Sequence, residues 1–342
     1  MNRPDVAIVD VTMPAGGGPR AARGIITASP MTRVIALSAH EDRATVLEML
    51  RAGAVGYLVK GTAPEEILRA IDRVVRGQAS LSAEVMGGVV SELSTQLRRE
   101  ELASAHRRER EERIARFAFG EGLRVEFQPI VELDSRMQVG TEALARFDSD
   151  PVRAPDAWFR EAVEVGLGIE LELATVRRAV SALPRLPEPL YLSLNASHRL
   201  AVNPWFLEEL DDVPGKRLVV EITEHEPVDD YAELSEALDT LRGRGIRIAI
   251  DDAGAGFSSL RHTLRIAPDI LKIDMSITHD IHHDRGKRAL ASALASFADE
   301  MGIAVVAEGL EEEEEVATLT ELGVPFGQGY LFGRPGVLPV LL

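Results

Sequence analysis

The stretch Arg-Ile-Ala-Ile-Asp-Asp (247–252) decides the fold: a short apolar run that ends on two carboxylates and leads into Ala-Gly-Ala-Gly (253–256). Adjacent carboxylates at the mouth of a buried strand repel each other unless positive charge sits between them. A pair of divalent cations is the usual solution. Working outward, the apolar run recurs. Strand candidates fall at 125–131, 139–147, 190–195, 217–222, 247–251, 270–274, 303–307 and 326–332. Helical patterns separate most of them, at 156–182, 230–243, 286–301 and 311–322, with shorter ones near 204–212 and 258–265. Eight strands alternating with helices predict a closed, TIM-like (β/α)8 barrel. Only about seven residues, Asp134 and Ser135 among them, join the first two strands, too few for a crossover. That pair is expected as a hairpin, so the barrel is a modified one with one antiparallel strand.

The bulk numbers fit such a protein. A chain of 342 residues holds a barrel and an appendage, and 45% hydrophobic residues support a packed core. No apolar run has membrane-spanning length and the charged start is no secretory signal, so the expectation is a cytoplasmic protein with no membrane partner. The absence of cysteine excludes thiolate catalysis and thiolate metal sites. A net charge of −17 argues against DNA as a partner.

Chemistry on a barrel gathers at the C-terminal strand ends. Here those ends carry Glu142, Asn195, Glu221 (with Glu224 after it), Asp251 and Asp252, Lys272 and Asp274, Glu308 and Gln328. One such residue alone reads as a cap or a solvent-facing group. Seven ends bearing oxygen ligands or a lysine read as one site. Glu142, Asn195, Glu221 and Asp251 make a hard-oxygen set for one Mg2+ or Mn2+, and Asp252 holds a second ion that Asp251 bridges. Two ions clamp a phosphodiester and acidify a water; Lys272 orients that nucleophile and Arg146 pairs with a phosphate oxygen.

Residues 123–335 resemble the EAL family of cyclic di-GMP phosphodiesterases. The matching stretches are Phe-Gln-Pro-Ile (127–130), Glu-Ala-Leu-Ala-Arg (142–146), Leu-Ser-Leu-Asn-Ala-Ser (192–197) and Glu-Ile-Thr-Glu (221–224). They continue with Asp-Asp-Ala-Gly-Ala-Gly-Phe-Ser-Ser-Leu (251–260), Leu-Lys-Ile-Asp (271–274), Ala-Glu-Gly-Leu-Glu (307–311) and Gln-Gly-Tyr-Leu-Phe (328–332). The resemblance implies hydrolysis of cyclic di-GMP to linear pGpG with two Mg2+ or Mn2+ ions, and a homodimer. It implies metal binding by Glu142, Asn195, Glu221, Asp251 and Asp252. Lys272, Glu308 and Glu142 then serve catalysis, and Gln128, Arg146, Asp274 and Gln328 the substrate side. Glu224 steadies the loop after Asp252, where the family's Phe and Thr are replaced by Ala253 and Ala255. Two other readings stand beside this one: a catalytically silent cyclic di-GMP-binding sensor, and an interaction scaffold.

The rest of the chain divides into 1–80, a partial flavodoxin-like segment that resembles a response-regulator receiver, and 81–118, a linking helix. In the receiver-like segment Asp10 occupies the phosphoacceptor position, with Ser38 and Lys60 as later strand-end partners. The first strand of such a fold, with its acidic pair, is not in the sequence; roughly 45–50 residues would lie ahead of Met1 in the usual five-strand order. Either the gene starts upstream, which would admit a sensor histidine kinase as partner, or the segment is a remnant that takes up no phosphate at Asp10. The exposed sheet edge favours the first. In the linking helix Val85, Val89, Leu93, Leu97 and Ile114 form an incomplete apolar stripe suited to pairing with a second copy. The run His106 to Arg113 reads as a solvated helix face. His279, His282 and His283, with Asp280 and Asp284, read as a polar connection in which Asp284 caps the next helix.

Overall fold

The structure is a computed structural model that describes residues 3–14, 17–39, 42–81, 83–150, 152–223, 231–253 and 259–338. It divides into two units, 1–106 and 107–342.

In the first unit β1 (Val6–Asp10), α1 (Gly17–Ala28), β2 (Arg33–Ser38), α2 (Arg43–Arg51), β3 (Ala54–Val59) and α3 (Pro64–Val75) alternate. The strands form a parallel sheet in the order β1-β2-β3. A parallel sheet is covered on both faces, which is why its strands are apolar nearly throughout. Val9, Val34, Ala36 and Tyr57 pack with Ala22 and Met49 on one side, Ile35 and Leu58 with Ala70 and Val74 on the other. At the C-terminal edge Lys60 Nζ donates to Asp10 Oδ2 at 2.7 Å, and Thr12 N to Asp10 Oδ1 at 3.1 Å. The Lys60 hydrogen bond holds the Asp10 carboxyl below its ordinary range.

The helix α4 (Ala83–Ala118) follows. The residues of the incomplete apolar stripe read from the sequence have different surroundings. Val89 packs on the first unit's core, whereas Ile114 and Phe117 are buried in the second unit. Leu93 and Leu97 are left half exposed; the Val85 side chain lies outside the described residues.

The second unit is the barrel. Its elements are β4 (Leu123–Glu132), β5 (Gln138–Phe147), α5 (Pro155–Val165), α6 (Gly168–Ala182), β6 (Tyr191–Ala196), α7 (His198–Ala201), α8 (Pro204–Glu209), β7 (Leu218–Ile222), α9 (Tyr231–Gly243) and β8 (Arg247–Ala253). Then come α10 (Ser259–Ile266), β9 (Ile270–Ile273), α11 (Met275–Thr278), α12 (Arg285–Met301), β10 (Ala304–Ala307), α13 (Glu313–Glu321) and β11 (Phe326–Gly327). The barrel closes in the order β10-β11-β4-β5-β6-β7-β8-β9. β4 is antiparallel to both its neighbours, β5 and β11, as the short hairpin requires. Ile130, Tyr191, Val219, Ala249, Ile270 and Val306 fill the interior. Gly140 is needed there, because a Cβ would lie 2.6 Å from the Tyr191 ring.

Two elements differ from the sequence reading. The helix expected over 156–182 is two helices, broken where Gly166 turns left-handed at φ 85° and caps α5. The last strand ends at Gly327, so Gln328 begins a loop. That loop winds around Leu310, whose N–H donates to the Gln328 carbonyl while its own carbonyl accepts from Leu331 N. Among the described residues no helix is long and apolar enough to cross a membrane.

Candidate active site

Strand alternation sends every second side chain to the same face. On β5 this aims Glu142 and Arg146 inward and towards the mouth, and on β4, running the other way, Gln128 and Glu126. β6 contributes Ser193 and Asn195, β7 Glu221, β8 Asp251 and β9 Lys272; Glu308 and Gln328 follow directly on β10 and β11.

Lys272 is the centre. It is 2% exposed, and its Nζ lies 2.6 Å from Glu221 Oε2, 2.7 Å from Glu308 Oε1, 3.2 Å from Asp251 Oδ1 and 3.3 Å from Glu142 Oε2. Carboxamides lock the ring of acids. Asn195 Nδ2 donates to Glu142 Oε1 at 2.8 Å, and Gln328 Nε2 to Glu142 Oε2 at 2.7 Å and Glu308 Oε1 at 2.9 Å. The Ser193 hydroxyl donates to Glu221 Oε1. No role had been read for Ser193, although its place two residues before Asn195 puts it on the same strand face.

Electrostatics follow from burial. Desolvation, then the charge of Glu142, pushes the Glu221 carboxyl up to about 8, against the pull of Lys272. Burial likewise raises Glu308 well above the carboxylate range, helped by Asp251 and Glu142 and opposed by Lys272. Burial alone would lower Lys272, but Asp251, Glu142, Glu221 and Glu308 outweigh it and hold the ammonium well above its ordinary value. Four carboxylates against one ammonium leave a formal surplus of three negative charges when all are ionised.

The site suits hard cations. Its donors are carboxylate and carboxamide oxygens, the set that Mg2+, Mn2+ and Ca2+ prefer. Asp251 Oδ1 is buried without a hydrogen bond, although Lys272 Nζ is within ion-pair distance. Gln328 Oε1 is likewise buried and unbonded. A buried acceptor left so is a position that a cation or water fills. The Asp252 side chain and all of Glu224, the residues assigned to the second ion and to loop control, lie outside the described residues, as does Ala255.

A cavity of about 670 Å3 opens from Glu142, Asn195 and Asp251, within the range of small-ligand sites. Arg146 and α5 residues, Phe159 and Arg160 among them, form one wall. Arg146 Nε donates to Glu126 Oε2 at 2.8 Å; Glu126 is a second residue missed, although it shares a strand face with Gln128. Gln128 is buried beside this group, with Nε2 on the Gly333 carbonyl at 3.2 Å. Asp274 is used differently. Its carboxylate caps α11 through Ser276 N, and it is not among the groups bonded to Lys272. Asp284 caps α12, as expected; Asp280, His282 and Glu312 stand within 4.8 Å of one another in the same region.

The EAL domain profile matches residues 112–335. The chain belongs to the EAL-domain family. A response-regulator receiver profile matches residues 1–72, so a receiver domain precedes the EAL domain. Among similar proteins, the probable cyclic di-GMP phosphodiesterase PdeI of Escherichia coli is 31% identical over 61% of this chain and 28% of its own length. PdeG of the same organism, also a probable cyclic di-GMP phosphodiesterase, is 31% identical over 66% of this chain and 47% of its own length. The chain thus spans less than half of these relatives. Of solved structures, the EAL enzyme Bd1971 with cAMP and cyclic di-GMP bound aligns at a TM-score of 0.63, with 28% identity, over 75% of this chain and 74% of that one. Klebsiella pneumoniae BlrP1, solved as a calcium and cyclic di-GMP complex, aligns at 0.57 with 30% identity over 64% of this chain and 56% of its own. BlrP1 was also solved with manganese.

Proposed function

We propose that this EAL-domain protein hydrolyses cyclic di-GMP to linear pGpG. The observation that carries the reading is the buried ring of Glu142, Glu221, Asp251 and Glu308 about Lys272, of which Glu142 and Asp251 line an open cavity. Glu142, Asn195, Glu221 and Asp251 would hold one Mg2+ or Mn2+, and Asp251 with Asp252 a second. When bound, such ions neutralise phosphate charge and lower the pKa of a water.

The chain's own groups do the rest. Lys272, fixed by four acids and kept charged, holds the attacking water by donating to its oxygen. Glu308, with its raised affinity for a proton, sits 2.7 Å from that ammonium and can receive or return one. The guanidinium of Arg146 takes a non-bridging phosphate oxygen. Water oxygen bonds to phosphorus, the bond from phosphorus to the ribose 3′ oxygen breaks, and that oxygen takes a proton. Gln128 and Gln328 border the substrate. For Asp274 the capping geometry supports only an indirect part, through the turn that follows Lys272.

The reading extends to a cytoplasmic homodimer, divided as 1–80, 81–118 and 119–342, and to a sensor histidine kinase as partner if the receiver is complete upstream. The test is pGpG formation from cyclic di-GMP with magnesium, manganese or chelator. Activity is expected with either metal and none with chelator, and Glu142→Ala or Lys272→Ala should each abolish it. Binding without turnover under all conditions would replace the enzyme by a sensor.

A further inference from the structure

We infer that Arg110 and Arg113, near the end of the linking helix α4, are positioning residues for the substrate cavity, acting through Glu161 of α5. The inference rests on the proposed phosphodiesterase reading. Glu161 is a nearly buried carboxylate, 5% exposed, facing three guanidinium groups. Arg113 Nη2 donates to its Oε1 at 2.5 Å and Arg110 Nε to the same oxygen at 3.2 Å, while Arg153 Nη1 holds Oε2. Arg110 also grips Glu164, one turn along α5. Trp158, three residues before Glu161, is buried between Arg153 and Arg113, at 4.1 and 5.2 Å from its ring centre.

This joint backs directly onto the cavity. Asp156, Phe159, Arg160, Val163 and Glu164 of α5 are cavity wall. Phe117 of α4 lies 5.0 Å, centroid to centroid, from Phe147, which follows Arg146 at the end of β5 and meets Phe159 at 5.7 Å. From α4, then, two routes reach the wall: a polar one through Glu161 and Glu164, and an aromatic one through Phe147. Neither touches the ring about Lys272. Loss of the arginines should let α5 shift and change how tightly substrate is held, with the reacting groups left in place.

The test uses the full chain. Turnover and equilibrium binding of cyclic di-GMP are measured for wild type, Arg113→Ala, Arg113→Lys and Glu161→Gln, with Arg177→Ala, which breaks the exposed pair with Glu209, as control. Arg113→Ala and Glu161→Gln are expected to raise KM about five-fold with kcat within two-fold, the pattern of lost positioning in binding. Arg113→Lys should recover part of the loss and Arg177→Ala should match wild type. Unchanged KM in both variants, or a fall in kcat matching a drop in Tm, overturns the positioning role while an active wild type leaves the phosphodiesterase reading intact. A wild type that neither binds nor cleaves cyclic di-GMP overturns both.

Discussion

At the scale of single residues, the site is organised by a cation that the sequence placed at a strand end but could not place at a centre. Lys272 became central only when the barrel closed and brought Glu142, from 130 residues earlier, to the same point. Removing it leaves four acids facing one another, and breaking a buried charge network of this kind costs about 3–5 kcal/mol. Thermal unfolding in chelator should therefore show Lys272→Ala well below wild type, with added Mg2+ or Mn2+ recovering more Tm in the variant than in wild type. Gly329 makes a sharper case. A Cβ there would sit 2.1–2.6 Å from the Leu310 backbone, which cannot give way without moving Gln328. Gly329→Ala should lower pGpG turnover at least ten-fold, about 1.4 kcal/mol or more in the barrier, and lower Tm as well. The motif Gln-Gly-Tyr was legible; why its glycine is required was not, since the neighbour it must clear lies across a loop.

At the scale of elements, the strands were read well because each is a short apolar run flanked by turn or helix signals, and their ends held most of the groups that the barrel brings together about Lys272. The helices were read less well. Gly166 and Gly168 signalled the break between α5 and α6, but apolar periodicity runs through them. Gly166→Ala meets no atom within 4 Å, so its cost is purely conformational, about 1 kcal/mol, measurable as a Tm drop without loss of kcat. Arg110 and Arg113 were read as solvated because their glutamate partner lies 48 to 51 residues away. That joint gives a pH dependence. Burial would raise the Glu161 carboxyl, but hydrogen bonds from Arg153 and Arg113 outweigh it and hold it below its ordinary 4.5. A depressed carboxyl adds stability above the unfolded value and loses it as pH falls through the lower, folded one. Unfolding from pH 6 to 3 should therefore show an acid-sensitive component that Glu161→Gln lacks; identical slopes would refute it.

At the scale of the whole molecule, a net charge of −17 and a surplus of acids in one pocket ask for cations. Divalent ions that bind only the folded state raise Tm, and above Kd the gain grows with the logarithm of their concentration. Mg2+ or Mn2+ should do so here, chelator should reverse it, and Glu142→Ala should remove most of the effect. The reversed strand has a further consequence. In a barrel whose strands all run one way, the chain enters at the end remote from the chemistry, and anything attached upstream must act across the length of a strand. Because β4 runs backwards, its first residue pairs with Phe147, the last of β5, and the chain enters beside the mouth that holds the candidate site. The residues that lead directly into β4 therefore meet the barrel at the end where the acids gather about Lys272.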